Sequence, residues 1–249
     1  MVHNNEEILE YWEKDDVESM YDKNLIDAEI NLVKSYISPN SKILDAGCGE
    51  GEGTLQYSTV SNVIIHAVDF SETRLKKARE KLSEINNVTF KKVDFLNNYV
   101  LDFDYDIIIS QRFLINLMDW ELQKKVISDL MGLLKPGGKF LLLEGSEQGT
   151  EDLNSIRRIF GLPPIAVKWH NLFFNDLKLQ NFILEQGYKV ENVLGFGEYF
   201  FLTRGIRPYF DKNLNWDSNF NKTATIDELK TYMCFNTKFS RLKLWIIKK

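Results

Sequence analysis

The amino-acid sequence predicts an α/β fold in which a mostly parallel sheet is covered by helices on both faces. Apolar segments of strand length alternate with amphipathic helical segments between residues 42 and 144. These apolar segments are continuous rather than alternating, which is typical of strands that are buried on both faces. A glycine-rich turn, Gly47-Cys48-Gly49-Glu50-Gly51, directly follows the first of them. Because ligands of open parallel sheets bind beyond the carboxyl ends of the strands, this turn marks a candidate binding site.

Helices are predicted for most of the first forty residues. Apolar side chains at spacings of four, three and four between Ile26 and Ile37 predict one helix, and a short apolar stripe that ends at Trp12 predicts another. Pro39-Asn40 ends the helical run, because proline does not continue a helix. The first strand follows at 42–46 and leads directly into the glycine-rich turn.

Four further strands and two helices are predicted before residue 145. The strands are apolar runs at 63–68, 88–93, 105–110 and 139–144. Ser71 and Asp119 are typical N-cap residues, and each precedes a segment with one apolar face. Lys135-Pro136-Gly137-Gly138 predicts a turn before the last of these strands.

The C-terminal third is less regular. Helices are predicted at 152–160 and 176–186, and strands at 188–194 and 242–247. The aromatic-rich segment 196–239, between these two strands, has no readable periodicity. We therefore expect a C-terminal insertion there that shapes a binding pocket.

Composition and charge restrict the classes of partner. The chain of 249 residues has a net charge of -5, which does not favour nucleic acid or an anionic membrane surface. No leader and no apolar run of membrane-spanning length are visible, and two cysteines suit a reducing compartment, so we expect a cytoplasmic protein without a membrane partner. Cys48 and Cys234 offer no zinc-ligand spacing and carboxylates are not clustered, so we expect no metal.

Two classes of cofactor use a glycine-rich turn at this place. A dinucleotide-binding turn has the pattern G-x-G-x-x-G, but Glu52 stands where the third glycine would be, counted from Gly47. Glu50 and Glu52 would also repel a pyrophosphate, whereas they suit a ligand that carries ammonium and sulfonium groups. A dinucleotide oxidoreductase is therefore the less favoured alternative.

Residues 45–51, Asp-Ala-Gly-Cys-Gly-Glu-Gly, resemble the first motif of class I (Rossmann-like) S-adenosylmethionine-dependent methyltransferases. The ends of the next three strands and the turn at 134–138 resemble the same family, so the likeness covers about residues 41–144. It implies a seven-stranded sheet with an antiparallel terminal strand. We expect a single domain, 1–249, made of a helical lid (1–40), a cofactor-binding core (41–145), acceptor-site elements (146–240) and the terminal strand (241–249).

The resemblance also implies which residues bind S-adenosylmethionine and its product S-adenosylhomocysteine. Asp69 would accept hydrogen bonds from the ribose hydroxyls and Asp94 from the adenine amino group, while Phe70 would stack on the adenine. Gln111 ends the fourth strand, beside the methionine portion. The full set of implied cofactor residues is Asp45, Gly47, Gly49, Gly51, Asp69, Phe70, Asp94, Phe95 and Gln111.

Residues after 144 and in the lid are candidates for the acceptor site. His170, in Lys168-Trp169-His170-Asn171, is the candidate catalytic base because histidine accepts protons near neutral pH; the alternative is a histidine that only orders the loop. Cationic side chains here would suit an anionic acceptor, unless they are scattered surface charges. The candidate substrate-binding residues are Tyr21, Arg112, Lys168, Asn171, Arg204 and Arg207.

The predicted reaction is the transfer of a methyl group from S-adenosylmethionine to a small molecule by in-line displacement. The favoured acceptor is an oxygen of a metabolite or of a sugar or capsule precursor. Three alternatives stay open: N-methylation, methylation of an anionic phosphate or phosphoramidate oxygen, and a catalytically silent scaffold that binds the cofactor. The expected state is a monomer or homodimer.

Overall fold

The computed structural model describes residues 5–17, 21–97, 99–212 and 214–249, and these contain a seven-stranded sheet. Its strands are β1 (Lys42–Ala46), β2 (Ile64–Asp69), β3 (Val88–Lys92), β4 (Tyr105–Gln111), β5 (Leu134–Gly145), β6 (Lys189–Gly195) and β7 (Leu242–Lys248). The order across the sheet is β3-β2-β1-β4-β5-β7-β6. Strands β1 to β5 pair in parallel, whereas β7 is antiparallel to both β5 and β6. The predicted fold class is confirmed, including the antiparallel terminal strand.

Helices cover the sheet. They are α1 (Asn5–Glu13), α2 (Lys23–Lys34), α3 (Glu52–Tyr57), α4 (Glu72–Lys81), α5 (Trp120–Leu133), α6 (Glu147–Ile159), α7 (Asp176–Glu185), α8 (Gly197–Phe200), α9 (Arg207–Phe210), α10 (Asn219–Ala224) and α11 (Glu228–Met233). Helices α1, α2, α4, α5 and α7 lie where the sequence predicts helices, whereas α6 begins at Glu147 rather than at residue 152 and α3 is an additional helix. Both predicted N-caps are confirmed: Ser71 accepts a hydrogen bond from a backbone N–H of α4, and Asp119 accepts two from α5. None of the described helices has the length and apolar composition that crossing a membrane requires.

Two apolar cores lie on opposite faces of the sheet. Neighbouring residues in a strand point to opposite faces, so Ile43 belongs to one core and Leu44 to the other. The Ile43 side is covered by α2, α6 and the segment after β6, and the Leu44 side by α5 and α7. Because helices cover both faces of the sheet, a ligand can reach it at the ends of the strands.

Strand β5 is longer than predicted. It begins at Leu134, so the predicted turn at 135–138 lies within the strand as an irregularity. The pairing register with β4 shifts there, between Tyr105 and Ile107, and Gly137 has a φ of 80°. Regular pairing resumes at Lys139, where the sequence predicts the strand to begin.

The segment between β6 and β7, which the sequence leaves unassigned, is helical rather than irregular. It contains α8 to α11 and a π-helix over Phe201–Ile206 that follows α8. Tyr199 and Phe239 of this segment are buried in the same core as α2. The hydroxyl of Tyr199 donates a hydrogen bond of 2.9 Å to Asp22, just before α2. The C-terminal insertion is therefore packed against the N-terminal helices.

Candidate active site

The glycine-rich turn extends from the end of β1 and is attached to the end of β2. The backbone N–H groups of Gly47 and Cys48 both donate to the carbonyl oxygen of Val68, at 2.8 and 3.0 Å. Gly47 and Gly49 have φ values of 75° and 56°, a conformation that side chains other than glycine rarely adopt. A Cβ at Gly47 would overlap with Phe113, whereas a Cβ at Gly49 would enter open space. Gly49 is thus the part of the turn that a ligand can approach closely.

Two buried carboxylates lie beneath this turn. Asp45 accepts a hydrogen bond of 2.6 Å from the hydroxyl of Thr54, and Asp69 accepts bonds of 2.9 Å from the N–H groups of Gly49 and Ser71. Burial, together with the nearby charge of Asp69, raises the pKa of Asp45 to about 6, and burial also raises the pKa of Asp69. Negative charge concentrated in a dry site favours a cationic ligand.

The turn and the two carboxylates open into a first cavity of about 170 Å³. Eight of the nine cofactor residues implied by the sequence line it. They are Asp45, Gly47, Gly49, Asp69, Phe70, Asp94, Phe95 and Gln111. Gly51 does not line the cavity; a Cβ at this position would press on Leu82, behind the turn. The predicted cofactor residues are therefore brought together, except for Gly51, which packs the turn onto its neighbours.

Gln111 is held by protein groups at both ends of its amide. Its oxygen accepts a hydrogen bond of 2.7 Å from the buried hydroxyl of Tyr57, and its nitrogen donates to Glu29 at 3.1 Å. Asp94 likewise accepts hydrogen bonds from Leu96 and Asn97. These partners fix both side chains in place on the cavity wall before any ligand binds.

Helix α1 covers the first cavity. Ile8, Leu9 and Trp12 contribute to its lining. The carboxylate of Glu13 accepts hydrogen bonds of 3.2 and 3.4 Å from the first two N–H groups of α4. The guanidinium of Arg74 stacks 4.7 Å from the centre of the Trp12 ring. The N-terminal helix is thus attached to α4 by its last turn.

A second cavity, of about 220 Å³, lies beside the first. Trp12, Arg112 and Asn116 line both cavities, and we call these three residues the shared wall. The indole N–H of Trp12 donates a hydrogen bond of 3.2 Å to the side-chain oxygen of Asn116, which closes this wall. Ligands in the two cavities would meet at the shared wall.

Five of the six predicted substrate-binding residues and the predicted base line the second cavity. These are Tyr21, Arg112, Lys168, His170, Asn171 and Arg204. Arg207 lies outside the lining of both cavities. Its guanidinium donates to Asp211 and to Asn221 at 2.8 and 2.7 Å, so it ties α9 to α10. The structure therefore does not bring Arg207 to either cavity.

His170 is almost completely buried, with 2% of its surface exposed. Its ring stacks on Tyr11 at 4.7 Å between centroids and meets the edges of Trp12 and Trp169 at 5.3 Å. Burial and the positive charge of Lys168 lower the pKa of His170 to about 4. Its Nδ1 atom has no hydrogen-bond partner within the described part of the chain. At neutral pH the imidazole of His170 is therefore uncharged, and its Nδ1 can still form a hydrogen bond with a ligand.

Glu144, near the end of β5, supports the site although it lines neither cavity, and the sequence interpretation misses it. Its buried carboxylate accepts hydrogen bonds of 2.7 Å from Ser110, 3.0 Å from the N–H of Phe113 and 2.8 Å from that of Leu114. These bonds fix the loop that carries Arg112 to the shared wall. The signal in the sequence is that the charged Glu144 directly follows the apolar run 140–143.

A protein-family model described as a methyltransferase domain matches residues 37–185. The chain belongs to this methyltransferase family. The matched residues include the glycine-rich turn, both buried carboxylates and His170. None of the described residues forms a group of three or more His, Cys, Asp or Glu side chains that could hold a metal ion.

Similar methyltransferases are found both among curated proteins and among solved structures. The ubiquinone/menaquinone biosynthesis C-methyltransferase of Wigglesworthia glossinidia brevipalpis is 32% identical over 127 residues, which cover 49% of this chain and 50% of that one. Phosphoethanolamine N-methyltransferase 1 of Arabidopsis thaliana is 27% identical, over 44% of this chain and 22% of that one. The match thus spans half or less of these curated relatives.

The fold is similar to that of magnesium protoporphyrin IX methyltransferase from Synechocystis PCC 6803, a structure with bound S-adenosylhomocysteine. The TM-score is 0.58 at 16% identity, over 98% of this chain and 95% of that one. At this identity the likeness concerns the fold alone.

Membership of the methyltransferase family indicates S-adenosylmethionine as the cofactor, and the first cavity fits it. The ammonium and sulfonium groups of that molecule suit a cavity walled by Asp45 and Asp69. Phe70 and Phe95 offer aromatic surface for an adenine, and the space at Gly49 admits a ligand against the backbone. The residues present therefore match the chemistry of the cofactor.

Proposed function

We propose that this chain transfers the methyl group of S-adenosylmethionine to a small molecule that binds in the second cavity. The observation that carries the proposal is the shared wall of Trp12, Arg112 and Asn116, which separates the cofactor cavity from a second, polar cavity. A donor in one and an acceptor in the other would face each other across it. An in-line displacement would in addition require the side chains of the shared wall, among them the hydrogen-bonded Trp12 and Asn116, to move apart so that the two reactants touch.

The part of the chain in this reaction is chiefly to orient the reactants. When bound, S-adenosylmethionine supplies a methyl group that its sulfonium already activates, so positioning accounts for most of the catalysis. Asp69, Asp94 and Gly49 would hold the cofactor. The apolar faces of Trp12 and Ile115 would keep water from the meeting point of the two cavities.

We propose an oxygen as the accepting atom, on a metabolite or on a sugar or capsule precursor. His170 is the proposed partner of that oxygen, because its Nδ1 is unbonded and faces the second cavity. Its pKa of about 4 makes it a weaker base at neutral pH than an ordinary histidine, so it would accept a hydrogen bond from an acceptor hydroxyl and take the proton only as the methyl group is transferred. Two similar proteins are a C-methyltransferase and an N-methyltransferase, so carbon and nitrogen are the alternatives. An anionic phosphate or phosphoramidate oxygen would need no base. The cytoplasmic location, the absence of a nucleic-acid partner and the monomeric or homodimeric state stay predictions.

The test is to incubate the purified protein with S-adenosylmethionine that carries a deuterated methyl group and with a polar metabolite extract of the host. Mass spectrometry should find a labelled small molecule, and its fragmentation should identify the atom that was methylated. Asp69→Asn should abolish the label, whereas the surface variant Asp129→Asn should retain it. Tight binding of S-adenosylhomocysteine without any labelled product would favour the silent scaffold instead.

A further inference from the structure

The second cavity is rich in cationic side chains. The charged residues that line it are Asp22, Arg112, Lys168, Arg204 and Arg241. Two of the four cations are neutralised by the protein. Arg112 pairs with the buried Glu29, and Arg204 pairs with Asp22, the one acid among the described residues of this lining. Two positive charges remain to be accounted for.

Arg241 and Lys168 have no carboxylate partner within the described ranges. The Nε and one terminal nitrogen of Arg241 make long hydrogen bonds of 3.4 and 3.3 Å to Thr150 and to the carbonyl of Ala166. The ammonium of Lys168 lies 5.4 Å from the centre of the Tyr21 ring. Burial and the neighbouring charge of Arg204 lower the pKa of Arg241 to about 10. Nearby like charges and burial both disfavour this cation until an anion binds beside it.

One further polar atom of the cavity wall also lacks a hydrogen-bond partner within the described residues. The Nδ1 atom of His170 is buried and makes no hydrogen bond among the described residues, and an unsatisfied polar atom of this kind is unfavourable in a folded protein. The cavity is therefore suited to a polar ligand that completes these contacts.

We propose that Arg241 and Lys168 form an oxyanion subsite, and that the methyl acceptor carries a carboxylate or phosphate group which binds there. Guanidinium groups bind both oxyanions through charge-assisted hydrogen bonds. With its anionic end at Arg241, an acceptor that fills the cavity would extend toward the shared wall. Arg241 is then a specificity-determining residue. This inference rests on the proposed function, since it names the class of molecule that the second cavity holds.

The test uses acetate and inorganic phosphate as probes, with the protein saturated by S-adenosylhomocysteine. Intrinsic fluorescence reports binding directly, because Trp12 lines the cavity and Trp169 packs against His170. The wild type should give a saturable change with at least one of the two anions. The stronger anion identifies the acceptor group as carboxylate or phosphate.

Variants assign the effect to the subsite. Arg241→Gln and Lys168→Gln should each weaken anion binding by roughly tenfold or more, the size expected for a lost charge-assisted hydrogen bond. Arg158→Gln, an equal change of charge on the exposed face of α6, should bind like the wild type. Because Lys168 is exposed, Lys168→Gln should fold normally, and it tests the subsite even if Arg241→Gln is unstable.

No saturable change in the wild type, or equal binding by the wild type and Lys168→Gln, would overturn the subsite. Failure of the proposed function has a different signature, namely that S-adenosylhomocysteine does not bind or that no labelled product forms, whatever the anion titration shows. A second measurement follows the labelled product: the acceptor should be in the fraction of the extract that an anion-exchange resin retains. An acceptor found in the unretained fraction would contradict the proposal, although methyl transfer itself would stand.

Discussion

Glu29 on α2 and Arg112 after β4 form an ion pair beneath the shared wall, in which the Nε of Arg112 donates a hydrogen bond of 2.9 Å to the Glu29 carboxylate. Glu29 is fully buried and also accepts a hydrogen bond from Gln111. The pair joins the N-terminal helices to the carboxyl edge of the sheet. Arg112 is thereby held in a left-handed backbone conformation, with a φ of 54°.

Glu29→Gln is expected to destabilise the protein by about 2–4 kcal/mol, because removing one partner leaves the other charge without compensation in a mostly buried site. Denaturant unfolding followed by circular dichroism measures this loss. Glu121→Gln, which breaks an exposed pair with Lys124, should change the stability by less than about 0.5 kcal/mol. A double variant with Arg112→Gln should recover part of the loss, and strict additivity would argue against the pairing.

Alanine at Gly47 and at Gly49 should have different effects. Both positions require left-handed backbone, which strains alanine by about 1–2 kcal/mol. Gly47→Ala also overlaps with Phe113, so we expect a total loss of about 2–4 kcal/mol. Gly49→Ala places its methyl group in the cofactor cavity, and it should weaken the binding of S-adenosylhomocysteine more than it lowers stability. Calorimetric titration and denaturant unfolding separate the two effects, and the reverse ranking would contradict the assigned approach of the ligand.

His170→Gln should lower turnover by about 100-fold or more if the imidazole takes a proton from the acceptor. Because the pKa of His170 is lowered to about 4, wild-type turnover should not change between pH 6 and 8 on account of this group. Turnover is measured once the labelled product is identified. Near-normal turnover of the variant would show that His170 is not the base. Its role would then be to pack against Tyr11 and Trp12.

The same lowered pKa predicts a stability effect at acid pH. The unfolded chain takes up a proton at His170 near pH 6.5, whereas the folded chain resists it until about pH 4. The stability that His170 contributes is therefore present above pH 6.5 and is lost as the pH falls to 4. His170→Gln should unfold with a smaller acid dependence across this window, and an unchanged dependence would contradict the burial of a neutral imidazole.

Glu144 predicts an effect of the opposite sign. Burial raises the pKa of Glu144 from 4.5 to about 7, so the folded chain holds this proton to higher pH than the unfolded chain. Its contribution to stability is complete below pH 4.5 and is lost as the pH rises through 7, by about 3 kcal/mol. Glu144→Gln should remove this slope from the pH dependence of unfolding, whereas Glu185→Gln, at an exposed position on α7, should keep it.

The sheet could be predicted from the sequence because its strands are continuous apolar runs and its helices begin at recognisable caps. Ser71 and Asp119 are examples in which one side chain defines where a helix starts. The segment 196–239 could not be predicted in the same way. Its helical run 197–210 changes to a π-helix at Phe201–Ile206, which breaks the 3.6-residue spacing, and α10 and α11 have only six residues each. Contacts distant in sequence, such as that of Tyr199 with Asp22, hold this segment in place.

The cofactor residues could be predicted because a motif fixes their positions at the ends of successive strands. The acceptor-binding residues are harder to predict, because ion pairs between residues distant in sequence decide which cationic side chains stay available for a ligand. The sequence alone does not show these pairs. Arg207 was a substrate candidate, although its spacing of four from Asp211 is typical of a pair on one helix face. Glu29 lies between Ile26 and Ile30 on an apolar face, a signal for a buried partner that the sequence interpretation did not use.

Trp12 contacts both cavities from α1, the helix that Glu13 attaches to α4 and that Tyr11 stacks on His170. A ligand in the first cavity would pack against α1 and hold Trp12 in place, and Trp12 also lines the second cavity. Such a ligand should raise the affinity for the acceptor, and by thermodynamic reciprocity the acceptor should raise the affinity for the cofactor by the same factor. We therefore expect the Kd of each ligand to fall by the same factor when the other ligand is bound.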